Sequence, residues 1–257
     1  MTPVLNVSNL GIDFGGLQAL DDFNIQVNDR EIVGLIGPNG AGKTTVFNLL
    51  TNVYKPSRGT IMIAGTPTIG KTTHEIVQNG LARTFQNIRL FKNLSVKDNV
   101  KIAFHNGMTY SVFSAMFRLP SYWKQEKAAD KLTLELLSVF DMQDLADETA
   151  GSLPYGAQRR LEIVRALATN PKVILLDEPA AGMNPSETAD LMKTIRDIRD
   201  KFNVAVILIE HDMNLVMGIC ERIIVLNYGL IIAQGTPNEI ANNPVVIEAY
   251  LGQQRGE

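Results

Sequence analysis

The chain has 257 residues, 45% of them hydrophobic and 20% charged, with a net charge of −3 and one cysteine, Cys220. That composition suits a globular chain of one large domain or two small lobes that builds its core without metals or disulfides. The weak negative balance excludes a nucleic-acid partner held by bulk charge, and the lone cysteine excludes an internal disulfide, as expected in a reducing cytoplasm.

The N-terminal stretch MTPVLNVSNLGIDF lacks the basic region and apolar run of a signal peptide, and no segment approaches the ~20 apolar residues of a membrane span. Residues 4–36 carry the strand-like runs LNV, FNIQV and EIVGLI; a helix is predicted over 43–52 and a strand at Thr60–Ala64. Residues 87–155 change character. They read as long helices, with Leu132, Leu136, Leu137 and Phe140 at helical spacing. From Gly156 the pattern is helix, strand (173–176), helix (186–200), strand (Val204–Ile209), helix (212–219) and strand (222–226). Strands alternating with helices pair in parallel. The expectation is therefore an α/β core of residues 1–86 and 156–257, interrupted by a helical segment at 87–155.

Residues 37–45 read GPNGAGKTT, that is Gly37, Pro38, Asn39, Gly40, Ala41, Gly42, Lys43, Thr44 and Thr45. They follow a predicted strand and open a predicted helix, which separates a phosphate loop from a tight turn of similar spelling. Glycines let the backbone curl so that several N–H groups point inward, and the helix N-terminus adds partial positive charge. Lys43 would reach the β- and γ-phosphates of a nucleotide, and the Thr44 hydroxyl would take a Mg²⁺ position.

The run VILLDEP, Val173–Pro179, is an apolar strand ending in two carboxylates. Alone, such a pair is ordinarily a solvated strand end. Downstream of a phosphate loop, Asp177 is expected to hold Mg²⁺ through water, and Glu178 to orient or deprotonate an attacking water. His211 follows the strand VAVILIE in the same way. It either contacts a γ-phosphate or is a structural or surface histidine. His74 and His105 have no comparable context.

These segments together resemble the ATP-binding subunit of an ABC transporter over nearly the whole chain. The resemblance implies a P-loop NTPase (RecA-like) core with a small antiparallel β part and an inserted α-helical subdomain. Gln86, in RTFQN, is similar to the family's Q-loop glutamine, implied to join Thr44 and Asp177 at the metal and Glu178 and His211 in catalysis. Phe14 matches the aromatic that stacks on adenine; the alternative is a core aromatic. A phenyl ring stacks without hydrogen bonds, so loose base selectivity is expected. Ala181, Gly182 and Asn184 lie in the D-loop position, where the family usually has aspartate. Locally, Asn184 reads as a helix N-cap with Pro185 first and Glu187 third in the helix.

The segment SLPYGAQRRLEIVRAL, Ser152–Leu167, occupies the signature position. In the family, two subunits sandwich two ATP molecules head-to-tail, each signature facing the γ-phosphate held by the other subunit. The usual leucine–serine–glycine–glycine is here Leu153, Pro154, Tyr155 and Gly156, followed by Gln158. The serine hydroxyl is gone. What remains is the Gly156 amide and a helix N-terminus expected near Ala157; Tyr155 either offers its hydroxyl or packs. This variant, with RTFQNIRLFKNLSVKDNV, AAGMNP and NNPVVIEAYLG, resembles the ATPase subunits of branched-chain amino-acid importers, the LivG type. Importers of urea and short-chain amides use similar subunits.

The resemblance implies an ATPase using ATP and Mg²⁺ at the cytoplasmic face of the membrane. Its implied partners are a second ATPase subunit, identical or not, two separate permease subunits and, indirectly, an extracytoplasmic solute-binding protein, with no nucleic acid. Ile88, Leu90, Phe91 and Leu94 either meet the permease or join the lobes. The aromatic-rich segment Met108–Trp123, broken by Pro120, either touches the permease or bilayer or packs on the helical zone. Two rival readings are a soluble ABC-type ATPase, which typically carries two cassettes or a long coiled coil, and a nucleotide-gated scaffold without turnover. One set of motifs and the presence of Glu178 and His211 speak against them.

Overall fold

The computed structural model describes residues 3–104 and 120–251. The chain forms two compact units, one of Met1–Gln86 with Lys172–Glu257 and one of Asn87–Pro171.

The first unit holds strands β1 (Leu5–Phe14), β2 (Leu17–Val27), β3 (Ile32–Ile36), β4 (Arg58–Ile63), β5 (Thr66–Pro67), β6 (Leu81–Arg83), β7 (Val173–Asp177), β8 (Ala205–Ile209), β9 (Arg222–Asn227) and β10 (Leu230–Gly235). They make two sheets, ordered β2-β1-β4-β5 and β10-β9-β3-β8-β7-β6. The first is antiparallel throughout. In the second, β10 runs antiparallel on the edge and the other five strands are parallel. Every residue of β3, β7 and β8 is buried, as an unbroken apolar run requires when a parallel sheet is covered on both faces. Leu5, Phe23 and Ile61 of the antiparallel sheet share one core with Val33, Phe47, Leu175 and Ile207.

Register positions the site. Leu35 pairs with Ile209, and Ile209 with Asp177, so β3, β8 and β7 end level. The phosphate loop, the two carboxylates and His211 therefore emerge from one edge of the sheet, where α/β folds place ligands. The strand β6 has only three residues and leaves no periodicity in the sequence. It exists because Leu81–Arg83 pair with Val173–Leu175 of β7.

The second unit contains helices Val96–Phe104, Pro120–Val139 and Tyr155–Leu167. The sequence pattern assigns the last of these to the core segment from 156. In the structure it packs on the helix Val96–Phe104 and groups with residues 87–171. Within that unit Arg159 is fully buried, its Nη1 donating to Glu162 Oε2 at 2.8 Å, and the Arg89 amide donates to Glu162 Oε1 at 3.2 Å. The predicted stripe is also shifted: Leu132 is exposed, and Thr133 is buried with Leu136, Leu137 and Phe140. Pro120 opens its helix, where a missing N–H costs nothing. Most of the segment Met108–Trp123 lies outside the described residues. Among the described residues no helix is long and apolar enough to cross a membrane.

Candidate active site

A cleft of about 460 Å³ opens at the level strand ends, lined by residues of the run Asn39–Thr45, Gln18, Ala19, Glu178, His211 and the hairpin Tyr228–Gly229. That volume suits a small-molecule ligand. The loop's glycines are required by geometry at two places. Gly37 sits at φ 152°, and a Cβ there would lie 2.1 Å from the Leu226 carbonyl oxygen. Gly42 sits at φ 105°, with the Ala19 carbonyl 3.2 Å from where its Cβ would be. Lys43 is buried, and its Nζ donates to the carbonyls of Gly37 at 2.6 Å and Pro38 at 2.9 Å. Burial lowers its pKa against the opposing pull of Glu178 and Asp177. The lysine thus closes the loop upon itself, with its charge held where phosphate oxygens would compete for it. Thr44 is exposed at the start of the helix Lys43–Leu50.

The three expected catalytic residues meet. Glu178 Oε2 accepts from Gln86 Nε2 at 2.7 Å, and Glu178 Oε1 lies 3.1 Å from His211 Nε2. With the carboxylate as acceptor, His211 carries its proton on Nε2. Glu178 holds a left-handed backbone, φ 47°, and its amide donates to the Ile209 carbonyl at 2.9 Å. A non-glycine residue in that region costs about 1–3 kcal/mol and concentrates at functional sites.

Asp177 is 6% exposed, and its Oδ2 accepts from Arg83 Nη2 at 2.7 Å. Among the described residues no group of three or more His, Cys, Asp or Glu side chains could hold a metal alone. The candidate donors are oxygens, from the Thr44 hydroxyl and the Asp177 carboxylate. A hard cation that takes one or two carboxylates and completes its shell with phosphates and water suits this set, so the residues fit Mg²⁺. Gln86, also expected at the metal, donates from its Nε2 to Glu178 and keeps its amide oxygen as an acceptor.

Phe14 is not among the residues lining the cleft. Its ring is exposed and meets Tyr54 edge-on at 5.3 Å. Leu17, three residues on, lines the cleft, as does Tyr228.

In the second unit, the signature helix starts at Tyr155, two residues before the expected Ala157, with Pro154 as an N-cap that offers no side-chain bond. Gly156 is therefore its second residue, with its amide among the free donors of the first turn. Tyr155 is exposed and Leu153 buried, and Gln158 Nε2 donates to the Leu153 carbonyl at 2.8 Å. The D-loop turn runs through Ala181 and Gly182 (φ 78°) into the helix Pro185–Phe202. Asn184 caps it as expected: its Oδ1 accepts from the Glu187 amide at 3.0 Å, and Glu187 Oε2 accepts from the Asn184 amide at 2.9 Å.

Three residues of this neighbourhood have no individual role legible in the sequence. Arg83 reaches Asp177 from β6. Tyr250, whose pKa burial raises, has its hydroxyl bonded to the Gly37 backbone. Glu210, 4% exposed, accepts from the amides of Ala180 at 2.6 Å and His211 at 3.0 Å. It stitches the turn after Glu178 to the strand end before His211. Burial pushes its pKa up against these amides and that of Asp212. Ionising it in the fold is thus unfavourable, and its contribution to stability falls as pH rises from the ordinary glutamate range through its raised folded value. Glu210→Gln is expected to abolish that pH component. An amide has one acceptor oxygen for the backbone N–H groups that the two carboxylate oxygens share, so the variant should also lose about 1–3 kcal/mol of stability, measurable as a pH series of chemical denaturation.

Comparisons with known proteins agree with this geometry. A family model described as ABC transporter matches residues 20–181. A second, described as branched-chain amino acid ATP-binding cassette transporter, matches residues 231–255. The chain is 45% identical over 251 residues to the high-affinity branched-chain amino acid transport ATP-binding protein BraF of Pseudomonas aeruginosa, covering 98% of each. It is equally 45% identical, over 98% of each chain, to the high-affinity branched-chain amino acid transport ATP-binding protein LivG of Escherichia coli K12. Its fold matches the ADP conformation of MJ1267, an ATP-binding cassette of an ABC transporter, with a TM-score of 0.84 at 30% identity, covering 98% of this chain and 100% of that one. A phosphate loop, a carboxylate pair and a histidine at one sheet edge, matched over most of the chain, establish that this chain belongs to the ABC transporter family as an ATP-binding domain.

Proposed function

We propose that this chain is the ATP-hydrolysing subunit of an importer for branched-chain amino acids, acting at the cytoplasmic membrane face through separate permease subunits. The observation that carries the reading is Glu178, held between Gln86 and His211 at the mouth of the phosphate-loop cleft. The substrate class rests on BraF and LivG, each 45% identical to this chain, and on the match at residues 231–255.

ATP phosphates lie against the amides of the loop, and Lys43 exchanges the Gly37 and Pro38 carbonyls for phosphate oxygens. Thr44 and Asp177 would hold Mg²⁺, which when bound would neutralise charge developing on the transferred phosphate. Glu178 accepts the proton of the attacking water or aims it, His211 holds the carboxylate and faces the γ-phosphate, and Gln86 reports to the permease. Gln86 bonds Glu178 directly, so release of that bond frees the carboxylate for water. The permease reading is supported by Phe91 and Leu94, both exposed, on a segment pinned by Asn99: Asn99 Oδ1 accepts the Phe91 amide at 2.9 Å and Asn99 Nδ2 donates to the Phe91 carbonyl at 3.0 Å.

The signature of a second ATPase subunit completes the site. Without the serine hydroxyl, that contact falls to helix-terminal amides, worth roughly 0.3–1 kcal/mol to an anion and up to ~2 when partly buried. Gly156→Asp places a carboxylate at this helix start, facing the γ-phosphate. It is expected to abolish turnover while ATP binding by the single chain survives; normal phosphate release in this variant would remove the segment from the site.

The function is tested by reconstituting the chain with its co-purifying permeases in vesicles and measuring ATP-driven uptake of leucine, isoleucine and valine. Uptake of urea or a short-chain amide instead would change the substrate, and ATP turnover with no co-purifying permease would overturn the transport role.

A further inference from the structure

The Arg83 guanidinium makes two charged hydrogen bonds in different directions. Its Nη1 donates to Asn48 Oδ1 and its Nη2 to Asp177 Oδ2, each at 2.7 Å. The group sits over the Phe47 ring at 5.4 Å and the Phe85 ring at 5.1 Å. Its side chain is 6% exposed and its Nε is buried without a partner. A buried cation with an unmet donor carries a desolvation cost even when paired, so its presence here calls for an explanation.

The explanation lies in what the fork connects. Asn48 follows Thr44 by one helical turn on Lys43–Leu50, so the two share a helix face. Asp177 ends β7. Arg83 therefore ties the helix face bearing Thr44 to the strand end bearing Asp177, the two oxygen donors that fit Mg²⁺. It does so from the end of β6, three residues before Gln86.

We propose that Arg83 is the positioning residue of the metal site, a bracket that holds Asp177 and the Thr44 helix at the separation Mg²⁺ requires before the ion arrives. This rests on the reading of Thr44 and Asp177 as the metal's donors. Arginine is needed because its planar fork serves two acceptors in fixed directions; lysine supplies the charge from a single point. The opposite effect is also physical: a guanidinium near a cation site repels the ion, and if repulsion dominated, removing Arg83 would tighten Mg²⁺ binding.

The test uses the full chain with ADP, titrated with Mg²⁺ and followed by calorimetry, beside ADP titrations in EDTA. Arg83→Met is expected to weaken Mg²⁺ binding to the ADP complex by about 10-fold or more, the usual cost of removing a group that orients a metal ligand. ADP affinity in EDTA should be unchanged, and Arg83→Lys should fall between Met and wild type. Unchanged or tighter Mg²⁺ binding in Arg83→Met overturns the proposal. Asn48→Ala cuts only the helix arm of the bracket and should weaken Mg²⁺ binding in the same direction; it decides alone if Arg83→Met does not fold. A wild-type chain whose ADP binding ignores Mg²⁺ would instead overturn the assignment of the metal site itself.

Discussion

Glu178→Gln is expected to lower ATP turnover by roughly 10²–10⁴-fold, the range for loss of a general base, while ATP binding is retained. The carboxylate has two oxygens, and each already serves one neighbour: Oε2 accepts from Gln86 and Oε1 from His211. A glutamine of the same shape keeps one acceptor and replaces the other with an N–H₂ donor. It can satisfy Gln86 or His211 in their present roles, but not both, and it cannot take a proton from water. The phosphate loop contributes its amides, Lys43 and Thr44 independently of this side chain, so nucleotide affinity should stand. Phosphate release and fluorescent-nucleotide titration on the same preparation separate the two effects. Turnover near the wild-type rate would show that Glu178 serves only to hold Gln86 and His211.

Gly37→Ala is expected to cost more in structure than any other single methyl added to the phosphate loop. The new Cβ would lie 2.1 Å from the Leu226 carbonyl oxygen and 3.0 Å from its carbon, and both contacts are backbone. No rotamer change relieves them; either the end of β9 or the loop must move. Overpacking alone typically costs about 1–3 kcal/mol, and the positive φ adds strain. The loop's displacement would also move the carbonyl that receives Lys43 Nζ and the amide bonded to Tyr250. Thermal melting should therefore fall together with ATP affinity. Gly40→Ala is the control: its φ is 77°, but nothing lies within 4 Å of its Cβ position. It should show the backbone strain without the collision, and a milder loss. Equal effects in the two variants would show that strain, and not the Leu226 contact, governs the loop.

The catalytic residues differ in how far local sequence reveals them. Nine consecutive residues form the phosphate loop, and one turn of chain brings all of its donors together, so GPNGAGKTT is legible without a fold. Asp177, Glu178 and His211 are legible one step less directly. Each ends an apolar run, and the inference that such runs lie parallel places their ends together; the level register of β3, β8 and β7 is what realises it. Asn184 is readable from its own helix because a capping box spans only four residues. Gln86 is recognisable through its surrounding motif, but its bond to Glu178 joins residues far apart in the chain and has no local signature.

The remaining differences arise where tertiary partners outrank local pattern. The strand β6 is too short to show a period and is defined by β7 beside it; with it, Arg83 and its two-way fork go unread. Glu210 looks like one more polar residue after a strand until burial and its backbone-amide partners give it a structural duty. Phe14 matches a motif position, but that its exposed ring meets Tyr54 edge-on is a tertiary fact. Leu132 obeys helical spacing, but a helix has several stripes with that spacing, and the neighbours it packs against select the one through Thr133, Leu136 and Phe140.

From the amino-acid order alone follow the α/β core, the phosphate loop, the acidic strand end and the membership of the chain in its family, because each depends on contiguous residues or on alternation along the chain. The hold of Gln86 and His211 on Glu178, the Arg83 bracket and the grouping of the helix Tyr155–Leu167 with the second unit depend on side chains distant in sequence, brought together by sheet register and burial. Short-range pattern encodes the former because local backbone geometry repeats with a fixed period. It cannot encode the latter, because a contact between distant residues exists only once the packed core has fixed the distance between them.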